Sequence, residues 1–423
     1  MVSNDSPGEI RQGQQHPSLP NELLIEIFSF AHQNDQSLKT LRSISLASHM
    51  FHGLVTPILY STLTIPEPSM GGEYGYPDYI CLFVRTMLDT ASLARHVKYV
   101  QLFLPGKGHY SWSPLGERVV QPIFQKAREL KVPLDVKLWE AVNSKARSSF
   151  VALLLLLLPN IETLSFILGD GYFPEVLDML PIDFFSDRHG RNNFAKVRKL
   201  SVDLGPHHAE GYFGSIGVPA WLQTPALSEL EVLRTGYGID PSAWPTPPIS
   251  NLISIAILQG AIMESSMKYL LGISPRLKSF SYTFEERYLI SNEDGDDWTT
   301  PFDVIGHLRT LSSSTLESLT IYTKELLGPN GPEGMWVPND WHCDLVAFER
   351  LTFLHTDCLF LFGSSAAEAL SLSLPLSLNK LHLNKHWTGD PEVLDAPVKC
   401  IKTAYPGLEM DIVDVPLSHT FAE

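Results

Sequence analysis

The chain has 423 residues, of which 44% are apolar, and its mean hydropathy is +0.01. These values are typical of a folded globular chain that is long enough for one large domain or two ordinary ones. The formal net charge is −16 at pH 7. Because nucleic acids and anionic membranes bind basic surfaces, this charge argues against either of them as the main partner.

Cysteine usage and hydropathy predict a cytoplasmic or nuclear protein. The four cysteines are far apart and form no CxxC motif, so we expect reduced thiols in a reducing compartment. Residues 1–18 are polar and lack the apolar centre of a secretory signal. The most apolar run, 150–158, is nine residues long, whereas a membrane span needs about 20. We expect this run to be the end of a buried helix.

Residues 19–63 have the apolar spacing of three short helices. Asp35 suits the N-cap of the second helix, and Pro57 is expected to end the third. About 45 residues are near the lower limit for an independent hydrophobic core, so we expect this segment to bind a partner through surplus apolar surface. The apolar stripe of the first helix consists of Leu23, Ile27 and Ala31, widened by Leu24 and Phe28.

The same segment opens with Leu19-Pro20-Asn21-Glu22-Leu23-Leu24, followed by Ile27-Phe28. This opening resembles that of an F-box, the adaptor-binding module of Skp–cullin–F-box ubiquitin ligases. Leu59-Tyr60 stands where many F-boxes have Leu-Trp, so an aromatic residue is retained there. The resemblance implies docking on a Skp-type adaptor through the matching positions, which are Leu19, Pro20, Leu23, Leu24, Ile27 and Phe28. The alternative is that 19–63 is only a helical cap of the domain that follows.

After a Pro- and Gly-rich stretch at 66–79, which we interpret as a linker, an apolar pattern recurs along the chain. In each copy an apolar anchor is followed by apolar residues three and five positions later. The copies are Val97-Val100-Leu102, Ile161-Leu164-Phe166, Val197-Leu200-Val202, Leu227-Leu230-Val232, Leu252-Ile255-Ile257, Leu277-Phe280-Tyr282, Leu316-Leu319-Ile321, Phe348-Leu351-Phe353 and Leu378-Leu381-Leu383, with a degraded copy at Leu408, Met410 and Ile412.

This pattern predicts one strand per copy, because residues two apart lie on the same face of a strand. Pro159, Pro225, Pro275 and Pro406 each precede an anchor by two residues, where they end a helix and favour extended backbone. Strand, connection and helix repeated in this way resemble an irregular leucine-rich-repeat solenoid, here without an asparagine ladder. An ordinary α/β domain with parallel strands is the alternative.

We therefore predict an α/β chain in which an N-terminal three-helix F-box precedes an irregular leucine-rich-repeat-like solenoid with a parallel sheet. The predicted divisions are a disordered tail at 1–16, the F-box at 17–65, the linker at 66–79, the repeat domain at 80–415 and a C-terminal tail at 416–423.

The resemblance implies a substrate-recognition subunit rather than an enzyme. The F-box would dock on a Skp-type adaptor and, through it, on a cullin, while the extended surface of the repeats would bind a protein substrate. Transfer chemistry would then belong to other subunits. Two other interpretations stay open: a scaffold that binds the adaptor without directing degradation, and an α/β enzyme with a helical N-terminal appendage.

The sequence contains no phosphate-loop, dinucleotide-binding or HExxH motif, and we expect no catalytic residues, cofactor or metal. His355 and Cys358 have loose metal-ligand spacing, but Cys358 lies among apolar residues and suits a core thiol. His342 and Cys343 are adjacent, a poor arrangement for ligands of one ion.

Two further polar groups are interpreted as surface residues. Asn292, Asp294, Asp296 and Asp303 partly match a calcium loop, yet the sixth position lacks the required glycine, so an acidic connecting loop is expected. His207-His208 is expected at the surface.

Since aromatic residues are enriched at binding hot spots, the predicted substrate surface includes those in irregular segments, which are Tyr74, Tyr76, Tyr79, Tyr212, Phe213, Tyr237 and Trp244.

Overall fold

The chain divides into two compact units, Met1–Thr62 and Leu63–Glu423. The computed structural model describes residues 19–31, 35–65, 79–104, 117–130, 147–168, 194–203, 222, 224–234, 249–260, 262–284, 299–323, 345–362, 374–385 and 392–414. No helix in these ranges is long and apolar enough to cross a membrane.

The first unit contains three helices, α1 (Asn21–Ala31), α2 (Asp35–Ala47) and α3 (His49–Leu59). Ser48 caps α3, because its side-chain oxygen accepts a hydrogen bond from the Phe51 N–H at 3.1 Å. Among the described side chains of the unit the core is small: four buried residues, Phe28, Leu41, Val55 and Ile58, are surrounded by the partly buried Leu24, Ile44, Phe51, Leu54 and Leu59.

The end of α3 corrects one prediction. Pro57 does not end the helix, which continues to Leu59. Proline cannot donate to the carbonyl four residues earlier, but this bond is lost only in the last turn, where the Tyr60 N–H still donates to the Thr56 carbonyl at 3.1 Å. Continuing the helix also brings Ile58 into the core. The expected N-cap of the second helix, Asp35, is its first residue.

The second unit is an α/β structure built on an open sheet in which the strand order follows the chain order without reversal. The nine pairings from β2 to β11 are all parallel. The strands are β1 (Thr62–Ile65), β2 (Tyr99–Leu104), β3 (Thr163–Leu168), β4 (Lys199–Asp203), β5 (Glu229–Leu233), β6 (Ser254–Gly260), β7 (Ser279–Phe284), β8 (Ser318–Thr323), β9 (Phe353–Asp357), β10 (Lys380–Lys385) and β11 (Glu409–Asp414).

Helices lie between several of these strands in sequence, as the prediction of an α/β chain requires. Residues 150–155, within the leucine-rich run, are all buried, which confirms the expected buried helix. The described helices are α4 (Tyr79–Asp89), α5 (Ala91–Ala94), α6 (Glu117–Glu129), α7 (Arg147–Leu157), α8 (Glu264–Gly272), α9 (Pro301–Leu311), α10 (Cys358–Phe362) and α11 (Glu392–Ala404).

One hydrogen-bond arrangement recurs at the start of successive strands. The Lys98 carbonyl accepts from the N–H groups of Glu162 and Thr163 at 2.7 and 3.0 Å. Each later carbonyl at the equivalent position likewise accepts from two successive amides of the next copy, at Glu162, Arg198, Ser228, Ile253, Lys278, Glu317 and Thr352. Because the same carbonyl position is used each time, the register is repeated from strand to strand.

The repeated register aligns the apolar residues into two core rows. The first core row consists of Val100, Leu164, Leu200, Leu230, Ile255, Phe280, Leu319, Leu354, Leu381 and Met410. The second core row consists of Leu102, Phe166, Val202, Val232, Ile257, Tyr282, Ile321, Thr356, Leu383 and Ile412. From β2 to β10 every member of both rows is buried.

Strand β9 differs from the sequence prediction. The apolar pattern placed a copy at Phe348-Leu351-Phe353, whereas the register aligns Leu354 with Leu381 and Thr356 with Leu383. The true copy therefore begins three residues later, at the buried Leu351. The polar Thr356 interrupts the apolar pattern of the true copy. Phe348 and Leu351 are both buried, and together with Phe353 they have the apolar spacing of a copy that begins three residues earlier.

A pair of alanine variants tests this register. We expect Leu354→Ala to lower the free energy of unfolding by about 2–5 kcal/mol, because it removes a fully buried side chain. Phe353→Ala removes a larger but half-buried side chain on the opposite face, and we expect a loss of about 1 kcal/mol. Urea unfolding of both variants measures the difference. A greater loss for Phe353→Ala would contradict the register.

Candidate functional site

Helix α1 presents an exposed apolar stripe. Leu19, Leu23 and Ile27 are 52%, 46% and 52% exposed. They are spaced four residues apart, which puts them on one side of the segment that leads into and forms α1. Pro20 is also exposed, and its carbonyl accepts from the Leu24 N–H at 3.2 Å at the start of the helix. On this side of α1 the stripe is apolar surface that the helical unit leaves uncovered, while the exposed Ile25 lies on the opposite side.

The other predicted adaptor-binding residues lie on the inner side of α1. Phe28 is buried and its ring meets that of Phe51 edge-on, with centroids 6.0 Å apart. Leu24 packs against the same core. The structure therefore brings Leu19, Pro20, Leu23 and Ile27 to the surface and uses Leu24 and Phe28 to hold the helices together.

The junction of α2 and α3 adds two exposed apolar residues to the helical unit. Leu46 lies one residue before the end of α2, and Met50 lies in the first turn of α3. Both side chains are exposed. Burial of a large apolar side chain stabilises a complex by about 1.5–3 kcal/mol, so this unit offers several favourable contacts to a partner.

The sheet of the second unit has an outer face, defined by the residues that lie between the two core rows. From β2 to β11 these are Gln101, Ser165, Ser201, Glu231, Ala256, Ser281, Thr320, His355, His382 and Asp411. Small side chains predominate from β3 to β8, and imidazoles replace them on β9 and β10. The character of the outer face therefore changes towards the C-terminal end of the sheet.

The two imidazoles belong to a ring cluster formed by Tyr322, Phe353, His355 and His382. The ring centroids are 4.8 Å apart for Tyr322 and His355, 5.8 Å for the two histidines, and 5.3 Å for Phe353 and His382. All four side chains are partly exposed. Rings in contact across neighbouring strands stabilise the sheet and offer a partner flat, rigid contact area.

Polar residues beside the ring cluster orient the imidazoles. His355 Nε2 lies 3.0 Å from Asn384 Oδ1, and because an amide oxygen can only accept, the imidazole nitrogen donates. His382 Nδ1 lies 3.8 Å from a carboxylate oxygen of Asp411 on β11. The buried Asp357 accepts from the N–H and the hydroxyl of Thr323 at 2.7 and 2.8 Å. The ring cluster therefore has an acidic side at β11.

Sequence reasoning missed the ring cluster. Because the copy on β9 was placed three residues early, at Phe348-Leu351-Phe353, His355 fell outside the predicted strand and was considered only as a metal ligand. In the correct register, His355 and His382 occupy equivalent positions on adjacent strands. The available signal was that each histidine is flanked by the two core positions of its copy, Leu354 and Thr356 in one case and Leu381 and Leu383 in the other.

His355 and Cys358, whose spacing loosely matches a pair of metal ligands, lie in different environments. Cys358 is buried at the start of α10, as expected for a core thiol. Burial raises the pKa of this thiol to about 12, and the neighbouring Asp357 carboxylate acts in the same direction. In the described part of the chain, no group of three or more His, Cys, Asp or Glu side chains could hold a metal ion.

The last residue of the partial calcium pattern, Asp303, lies in the first turn of α9. Its carboxylate accepts from the N–H and the hydroxyl of Thr300 at 3.0 and 2.6 Å, and its own N–H donates back to that hydroxyl. This capping box starts α9. The other residues of the pattern, Asn292, Asp294 and Asp296, lie outside the described ranges.

Several other predicted surface residues also fall outside the described ranges. Tyr79 is the first residue of α4. The remainder are Tyr74, Tyr76, His207, His208, Tyr212, Phe213, Tyr237 and Trp244. The adjacent His342 and Cys343, which were considered as metal ligands, also lie outside the described ranges.

No protein-family model matches the chain, and no curated protein matches it in sequence.

The division of α1 into an inner and an outer side is testable without a partner. Phe28→Ala removes a buried aromatic side chain, which costs about 3–5 kcal/mol, and we expect it to unfold the small helical unit. Ile27→Ala changes the exposed stripe and is expected to leave the unit folded. Limited proteolysis with mapping of the cleavage sites measures the result. Equal protection of residues 19–59 in both variants would contradict this division.

Thiol alkylation tests the environment of Cys358. With a pKa of about 12, roughly one thiol in 10⁵ is ionised at pH 7, and the side chain is buried as well. We expect iodoacetamide at neutral pH to modify the partly exposed Cys400 and not Cys358, as read by peptide mass spectrometry. Raising the pH increases the thiolate fraction, but burial should keep Cys358 unmodified until the chain unfolds.

Proposed function

We propose that the chain is a substrate-recognition subunit of a Skp–cullin–F-box ubiquitin ligase. The N-terminal helical unit would be an F-box that docks on a Skp-type adaptor and, through it, on a cullin. The second unit would be an irregular leucine-rich-repeat-like domain that binds a protein substrate. The chemistry of ubiquitin transfer would belong to other subunits, and this chain would supply proximity.

The observation that carries the proposal is the exposed stripe of Leu19, Leu23 and Ile27 on a three-helix unit with a small core. These residues and Pro20 are part of the opening that resembles an F-box. A helix that presents apolar residues at four-residue spacing is suited to packing into a groove of a partner. Solvent exposure of the stripe in the isolated chain is consistent with its use in a complex.

The strand order supports the repeat part of the proposal. In a doubly wound α/β enzyme the order reverses at a switch point, and the ligand binds in the crevice formed there. Here the order from β1 to β11 follows the chain without reversal. A sheet assembled from successive copies offers a long continuous face, which is typical of protein-binding repeat domains. The ring cluster on β8 to β10 is a candidate part of the substrate surface.

Co-purification of the full chain with a recombinant Skp-type adaptor tests the proposal. We expect a stoichiometric complex with the wild type. The double variant Leu23→Ala/Ile27→Ala should weaken binding at least about tenfold, because each substitution removes roughly 1 kcal/mol of apolar contact.

The matched control is Ile25→Ala, which changes another exposed apolar residue on the opposite side of α1. Adaptor affinity should stay within a factor of about two of the wild type. Circular dichroism verifies that each variant keeps its helices. A folded wild-type chain that forms no complex would overturn the F-box assignment, and equal loss of affinity in Ile25→Ala would place the interface elsewhere.

A further inference from the structure

Strand β11 is the last strand of the sheet, and among the described residues no strand pairs with its outer edge. The Glu409 N–H donates to the Asn379 carbonyl at 2.9 Å, so the backbone groups of Glu409 face β10. Successive residues of a strand direct these groups to opposite sides. The N–H and C=O groups of Met410, Ile412 and Asp414 therefore face away from β10. No strand in the described ranges pairs with that side.

Both core rows also end at this edge with incomplete cover. Ile412 continues the row that contains the fully buried Leu383, yet Ile412 is 41% exposed. Met410, the last member of the other row, is also partly exposed, whereas Val413, which is 44% exposed, lies on the outer face. One further strand with apolar side chains opposite Met410 and Ile412 would bury the ends of both rows.

The outer face of β11 is acidic. Glu409 and Asp411 lie on this face with 71% and 59% of their side chains exposed. The strand itself, Glu-Met-Asp-Ile-Val-Asp, carries no basic residue. Lys380 approaches Glu409 to 3.4 Å from β10, and the His382 imidazole lies 3.8 Å from Asp411. A strand added here would meet Glu409, Asp411 and Val413 on the outer face, and Met410 and Ile412 on the other.

We propose that the open edge of β11 binds an extended segment of a partner protein in which apolar and basic residues alternate. The backbone of the segment would pair with the groups of Met410, Ile412 and Asp414, in the manner of strand addition to a sheet edge. Its apolar residues would cover Met410 and Ile412, and its Lys or Arg residues would face Glu409 and Asp411. In the proposed ligase this partner is the substrate, an assignment that rests on the proposed function.

Charge distinguishes this partner from two other occupants of the edge. A second copy of the chain would place its own Glu409 and Asp411 near the same carboxylates, and like charges on paired strands are destabilising. The residues that follow β11, 415–423, contain no Lys or Arg and could not complement the acidic face. A basic segment from another protein satisfies both the backbone and the charge requirement.

The test measures fluorescence anisotropy of a labelled peptide of about eight residues, alternating lysine and valine, on the full chain. We expect saturable binding that weakens as salt is added. Ile412→Pro removes a backbone N–H that points away from β10, so it should preserve the pairing with β10 and weaken peptide binding at least tenfold. The double variant Glu409→Lys/Asp411→Lys should weaken binding by a similar factor.

Two controls separate strand addition from simple charge attraction. Ile412→Ala keeps the backbone N–H and should weaken binding less than Ile412→Pro. The same peptide with N-methylated backbone amides keeps its charge and should bind at least tenfold more weakly than the unmodified peptide. Thermal unfolding of each variant verifies that the sheet remains folded.

The proposal is overturned if Ile412→Pro and N-methylation leave peptide binding unchanged, since the attraction would then be electrostatic only. It is also overturned if removal of residues 415–423 is required for binding, which would identify the chain's own segment as the occupant. A wild-type dimer that Ile412→Pro dissociates would identify a second copy instead. The Leu23→Ala/Ile27→Ala variant should bind the peptide normally, so loss of adaptor binding and loss of peptide binding are distinguishable.

Discussion

In the second unit, each carbonyl that precedes a strand, from Lys98 to Thr352, accepts two successive amides of the next copy, and this shared acceptor sets the register of the sheet. With the register repeated, side chains at equivalent positions fall into line, and the first and second core rows become continuous buried stripes. The rest of the unit depends on this alignment, because apolar residues from copies of unequal length meet only when each strand begins at the same place. The connections between strands can then vary in length without disturbing the core.

The same alignment determines which side chains lie outside the core and form accessible surfaces. Residues between the core rows form the outer face, where the ring cluster groups residues of β8, β9 and β10 that are far apart in sequence. Strand β11 is the last strand of the sheet, so alternate backbone N–H and C=O groups face away from β10 and Ile412 is exposed. In the helical unit a core of four buried residues cannot cover all the apolar side chains of α1. Each candidate surface is thus a place where the fold leaves its own interactions incomplete.

The sequence predicts the core rows well because apolar residues recur at fixed spacing, and eight of the nine full triplets lie in the observed register. The triplet Phe348-Leu351-Phe353 fails because the second core row contains a buried threonine, Thr356, while Phe348 and Leu351 supply an apolar pattern that is not used by the strand. On α1 the sequence cannot separate Ile27 from Phe28, since adjacent apolar residues lie about 100° apart on a helix and only packing against Phe51 selects the inner one. The ring cluster requires the exact pairing of three strands, which local spacing does not give.

The central functional claim is that the outer side of α1 is the adaptor-binding surface. Hydrogen–deuterium exchange of the full chain, with and without a saturating Skp-type adaptor, tests this claim most directly. We expect slower exchange in 19–31 on complex formation, because burial of the stripe of Leu19, Leu23 and Ile27 stabilises the helix, and unchanged exchange from β2 to β11. Unchanged exchange in 19–31 together with protection of the sheet would contradict the account and place the adaptor on the second unit.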